Sequence, residues 1–100
     1  MERLTQLRSQ YLDLTYRVLP ELAQQRHFPV RLNHCFQRIV LDNLFNNCWY
    51  NVLSRSTPAY KQLSEEQLER AIALAEAIIH EPDDYLDRLN QNSLRWRGKL

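Results

Sequence analysis

Glycine is almost missing from this chain. The only one among its 100 residues is Gly98, the third position from the carboxyl end. Loops that cradle phosphates need glycine, because only a residue without Cβ takes positive φ freely and lets the backbone approach a ligand closely. A P-loop, a dinucleotide fingerprint and a nucleophile elbow are therefore excluded. Tight hairpins lose their usual turn as well, since no Asn-Gly or Asp-Gly pair occurs. No uninterrupted apolar run approaches the ~20 residues a spanning helix requires, and the opening MERLTQLRSQ lacks the apolar core of a signal peptide. No membrane contact and a cytoplasmic location are the expectation, with Cys35 and Cys48 as reduced thiols. A net charge of +1 also gives no global electrostatic case for nucleic acid.

Metal spacing is lacking too. His27, His34, Cys35, Cys48 and His80 are soft-ligand types, yet no Cys-x-x-Cys or His-x-x-x-His pair exists. His34 and Cys35 are neighbours, and neighbours on a helix point about 100° apart. Neither a metal nor a cofactor is expected. Cys35 falls on an apolar helix face, where a thiol packs and does not react. Cys48 follows a helix end and is the more exposed candidate, but a nucleophile also needs an orienting base.

What the sequence does contain is helical periodicity throughout. It predicts one domain over residues 1–100, an all-α compact bundle of four main helices with short extra helical turns. Leu4, Leu7, Tyr11, Leu14 and Val18 alternate spacings of three and four, a heptad seam that Leu12, Tyr16 and Leu19 widen. Such a helix buries two flanks, within a bundle or against another copy of itself. Pro20 should kink it, with a continuation to about Gln25 or a short second helix that carries Pro20 in its first turn. Pro29 biases Phe28 away from helix, which marks the first connection.

The stretch RLNHCFQRIVLDNLFNNCWY, residues 31–50, is the organising element. Leu32, Cys35, Phe36, Ile39, Val40, Asn43 and Leu44 share one broad face, and Asn46-Asn47 is a fitting stop. Cys48, Trp49, Tyr50, Val52 and Leu53 read as an aromatic-apolar knot closing one end of the core. Thr57 before Pro58 reads as a cap opening a turn through Leu63. Ser64 and Gln67 fit a capping box, with Glu65 and Glu66 at the positive end of the helix dipole. Leu68, Ala71, Ile72, Ala75, Ile78 and Ile79 follow as a buried stripe, and Pro82 ends that helix. Asp83 and Asp84 open the last one, whose apolar positions begin with Tyr85, Leu86 and Leu89.

Three groups of residues are candidate sites. His34, Arg38 and Asp42 stand four apart, so they stack as a row with Arg38 in reach of both neighbours. The simpler reading is an i,i+4 ion pair. The sharper one is a groove wall in which Arg38 grips an anion, His34 acts as acid-base group and Asp42 orients. The seam residues Leu4, Leu7, Tyr11, Leu14 and Val18 form a candidate self-association face. The tail NQNSLRWRGKL brings Arg95, Trp96 and Arg97 together, the ingredients of single-strand binding, though one aromatic is too few for a platform.

The patterns RLNHCFQRIVLDN, Cys48-Trp49, AYKQLS and NSLRWRG resemble a group of short bacterial all-helical proteins of about this length. Some proteins of that kind carry an N-acetyltransferase label, which would imply acyl transfer. Such enzymes hold the pyrophosphate of acetyl-CoA on a glycine-containing loop, and residues 1–97 contain no glycine. We therefore expect, in order, a non-catalytic interaction or scaffold domain whose partner is a second copy or another protein, then a small-ligand protein or enzyme using the groove beside the central helix, then weak nucleic-acid binding by the tail.

Overall fold

The computed structural model describes residues 2–100, and among these the chain is all-helical with no strand. Helix α1 (Glu2–Asp13) passes through a π-helical turn (Leu14–Val18) into α2 (Leu19–Leu22). Helices α3 (Asn33–Phe45), α4 (Glu65–His80) and α5 (Asp83–Trp96) follow, with short 3₁₀ turns at Trp49–Asn51 and Ala59–Gln62. No helix is long and apolar enough to cross a membrane among the described residues.

The expected continuation past Pro20 is present, and the π turn explains how it is achieved. In a regular α-helix the proline ring would press on the carbonyl of Tyr16, and Pro20 has no N–H to give it. Here the N–H of Leu19 reaches back five residues to the carbonyl of Leu14. That adds a residue to the turn just before the proline. Thr15 fixes the widened turn from inside: it is fully buried, its Oγ1 donates to the Tyr11 carbonyl at 3.0 Å, and Gln37 of α3 donates to it at 3.3 Å. Tyr16 does not widen the buried seam as expected; it is 56% exposed.

Leu7, Tyr11 and Leu14 lie in the chain's own core, with Leu4, Leu12 and Val18 packed partly buried against it. The seam that could have joined two copies is thus filled by this chain's own helices, chiefly α4, which lies along α1. A homodimer or other protein partner would have to use a different surface.

Helix α3 is wrapped by the others and supplies Phe36, Ile39 and Val40, none of which reaches solvent. Its buried arc is wider than one apolar stripe, because Leu41 and Asp42 are also inside. It starts later than its pattern suggests: Leu32 is the cap residue and is 57% exposed. Asn46 ends it in the left-handed conformation at φ 53°, which asparagine tolerates better than other residues with a side chain. In the knot that follows, Cys48 is buried and unpaired, while Tyr50 and Val52 face outward. Pro58, not Thr57, caps the second 3₁₀ turn. The capping box at Ser64 has both bonds, Gln67 N–H to Ser64 Oγ at 3.1 Å and Ser64 N–H to Gln67 Oε1 at 2.9 Å.

The α4–α5 corner is fastened by Arg26 from the loop after α2. Its guanidinium donates to the carbonyls of Ile79 (2.8 Å) and Glu81 (2.6 Å), groups left open where α4 ends. It also pairs with Asp83, the first residue of α5, at 2.6 Å. Phe28 lies under the same guanidinium at 4.8 Å and meets Phe36 edge-on, centroids 6.1 Å apart.

Candidate functional site

The polar row of α3 faces the carboxyl-terminal end of the chain, where α5 offers a complementary row. Asn90, Ser93 and Arg97 are spaced three and four apart, so they too fall on one face. Asp42 is wholly enclosed and accepts four hydrogen bonds from three residues. Arg97 Nε reaches its Oδ2 at 2.7 Å, Arg97 Nη2 its Oδ1 at 3.2 Å, Ser93 Oγ its Oδ2 at 2.6 Å, and the Trp49 N–H its Oδ1 at 2.9 Å. Donating to the Asp42 carboxylate holds the Arg97 guanidinium firmly protonated.

The expected ion pair between Arg38 and Asp42 does not form, because Asp42 is already engaged by Arg97. Arg38 instead donates to Ser93 Oγ at 2.7 Å and to Asn90 Oδ1 at 2.9 Å. Both acceptors are neutral. Asp42 therefore orients Arg38 only through Ser93, whose hydroxyl accepts from one and donates to the other. Arg38 is fixed in direction yet keeps its charge, and among the described residues no carboxylate pairs with it.

Beside this row opens a cavity of about 540 Å³. Its floor is Tyr11 and Leu41, both buried. Gln37, Arg38, Trp49, Tyr60 and Arg97 form half-buried walls, and Tyr16, His34, Tyr50 and the segment 55–58 form the rim. No acidic residue lines it. The rim segment is clamped by Gln62, whose Nε2 donates to the carbonyls of Ser54 (2.7 Å) and Thr57 (2.9 Å) while its Oε1 accepts from the Ser54 N–H. The exposed Tyr50 ring has the guanidinium of Arg55 over it at 4.0 Å and that of Arg97 at 4.8 Å, and Trp49 meets it edge-on at 4.7 Å.

One buried atom of a cavity-lining residue lacks a partner. The Tyr11 hydroxyl is buried and has no hydrogen-bond partner. Burial, and secondarily the neighbouring Tyr16, push its pKa above the ordinary tyrosine range. It stays a neutral donor at any physiological pH.

Of the expected site residues, the structure brings His34 and Arg38 to the cavity and places Asp42 behind its wall. It separates the tail group: Arg95 is exposed, Trp96 is half-buried, and Arg97 turns inward to Asp42. That removes the shared basic-aromatic face on which strand binding rested. No three His, Cys, Asp or Glu side chains come together as a metal set among the described residues. Tyr11, assigned to a packing seam, is the floor of the cavity, and no periodicity could have revealed its unpaired hydroxyl. The Asn90/Ser93/Arg97 spacing was a legible signal, since three polar residues at helical intervals form a row that needs a partner. No family model matches this chain, and no curated protein and no solved structure matches it either.

Proposed function

We propose that this protein binds a small organic anion in the cavity beside α3. The observation that carries the reading is Arg38: rigidly held by two neutral acceptors, half-buried, and facing a cavity without a carboxylate in its wall. A guanidinium paired with an acid is electrically satisfied, whereas one oriented by neutral groups keeps its attraction for an incoming anion. The cavity volume lies within the range of about 300–1,000 Å³ typical of ligand sites, and its walls combine aromatic surface with a few polar groups. His34 stands one turn before Arg38 at the rim, which supports a second reading in which it moves a proton on a ligand so held.

The test is isothermal titration calorimetry of the wild type and Arg38→Met against aryl carboxylates and aryl phosphates. Saturable binding by the wild type, weakened about tenfold or more in R38M, is the expected result, since hydrogen bonds to charged groups are worth ~1.5–3 kcal/mol. Anion binding of equal strength in both would remove Arg38 from the reading.

A further inference from the structure

Arg38 is held by two neutral acceptors, and the fold dictates the neutrality of only one of them. We infer that Asn90 sets the sign of the ligand: from behind the cavity wall it orients Arg38 without cancelling its charge. This deepens the proposed anion site and rests on it.

Ser93 is neutral by necessity. Its side chain is fully buried, and its hydroxyl donates its one proton to Asp42 Oδ2 at 2.6 Å. Towards Arg38 Nη1, at 2.7 Å, it can therefore only accept. A carboxylate in its place would meet the enclosed carboxylate of Asp42, two like charges away from water. Packing alone keeps position 93 uncharged.

Asn90 is under no such constraint. A guanidinium offers donors only, so the amide oxygen of Asn90 is the atom turned to Arg38 Nη2, at 2.9 Å. No group accepts from its Nδ2 among the described residues. Aspartate has the same shape, would accept equally well at this half-buried position, and makes the stronger, charge-assisted bond. One turn and a half along the same face a carboxylate does compensate an arginine, Asp42 with Arg97 at 2.7 Å. Asn90 thus holds Arg38 with the weaker of two fitting acceptors, and what this preserves is a positive charge at the cavity. Asn90 does not line the cavity, so it acts on a ligand through Arg38.

The experiment is calorimetry of the full chain with benzoate and phenyl phosphate. It is run on the wild type, Arg38→Met, Asn90→Asp and Asn90→Ala, and thermal unfolding of each protein is recorded. Whichever anion the wild type binds should bind R38M and N90D about tenfold or more weakly. A unit charge about 7 Å from the ligand suffices for that factor at an effective dielectric constant of about 20. N90A gives up the hold on Arg38 but adds no charge, and should fall between the wild type and N90D. N90D should melt within a few degrees of the wild type. A residue that only fastened Arg38 would give the opposite order, with aspartate the better replacement and alanine the worse.

N90D binding as tightly as the wild type while R38M is weakened, or N90A losing as much affinity as N90D, overturns the role of Asn90 and leaves the anion site standing. An N90D protein that fails to fold overturns it too, because position 90 would then be neutral for structural reasons. Equal affinity in R38M and the wild type, or no binding of either anion, overturns both readings together.

Discussion

Replacing Asp42 by asparagine tests the polar row on which the cavity wall is built. The exchange keeps the shape and removes one charge from a side chain with no solvent exposure, opposite a guanidinium that is 14% exposed. In the wild type that carboxylate accepts from Arg97, Ser93 and the Trp49 N–H. An asparagine can serve only part of this set, because its NH₂ group meets donors where the second carboxylate oxygen stood. Removing one member of a buried ion pair costs about 3–5 kcal/mol, since the other charge stays behind uncompensated. For a domain near this size each kcal/mol lowers the melting temperature by roughly 4–8 °C, so Asp42→Asn should lose at least ~12 °C. Calorimetry or circular dichroism would measure this, and Asp42→Asn combined with Arg97→Met should cost clearly less than the sum of the two single changes. The loss should also be insensitive to added salt, as expected of a pair shielded from ions. A loss of under about 1 kcal/mol, the value of an exposed ion pair, would refute the claim that this network is a buried structural unit.

Three further outcomes follow from particular contacts. The hydrogen bond from Arg26 holds the Asp83 carboxyl below its ordinary value of 3.8, so that contribution is present above this pH and is lost as pH falls through and below it. Amide exchange at the α4–α5 corner should therefore accelerate on acidification, and Arg26→Met should abolish the pH dependence. The buried Tyr11 hydroxyl is held neutral, so its contribution is intact below the ordinary tyrosine value near 10 and is lost as pH rises past it; Tyr11→Phe should extend the alkaline stability limit seen in denaturant titrations. Ser64→Ala removes the acceptor for the Gln67 N–H and should cost about 1 kcal/mol by urea unfolding, in line with other serine caps.

Much of the fold was legible because its signals are local. The capping box at Ser64, the proline stop before α5 and the asparagine end of α3 depend on residues within one turn of each other. The site was only half legible. Spacing placed His34, Arg38 and Asp42 on one face, but the partner of Asp42 lies 55 residues further on, and nothing within the helix distinguishes Arg97 from Arg38 as that partner. The floor was hidden for a different reason. Tyr11 satisfies the heptad pattern as well as a leucine would, and only the packed structure shows its hydroxyl without an acceptor. The rim was hidden as well, because segment 55–58 owes its position to hydrogen bonds from Gln62, a residue with no periodic role.

The Arg26 clamp has a bearing on the order in which the molecule assembles. Its acceptors are 52 to 57 residues away, whereas the α4–α5 pair can dock by itself through a two-residue link. Long-range closures of this sort tend to form after the rate-limiting step of folding, because their loop entropy is lost before the contacts return anything. Weakening the clamp should then leave the refolding arm of a chevron nearly unchanged and steepen the escape from the native state. Arg26 would thus act as a latch on lifetime, governing how long the finished fold persists and not how quickly it is reached.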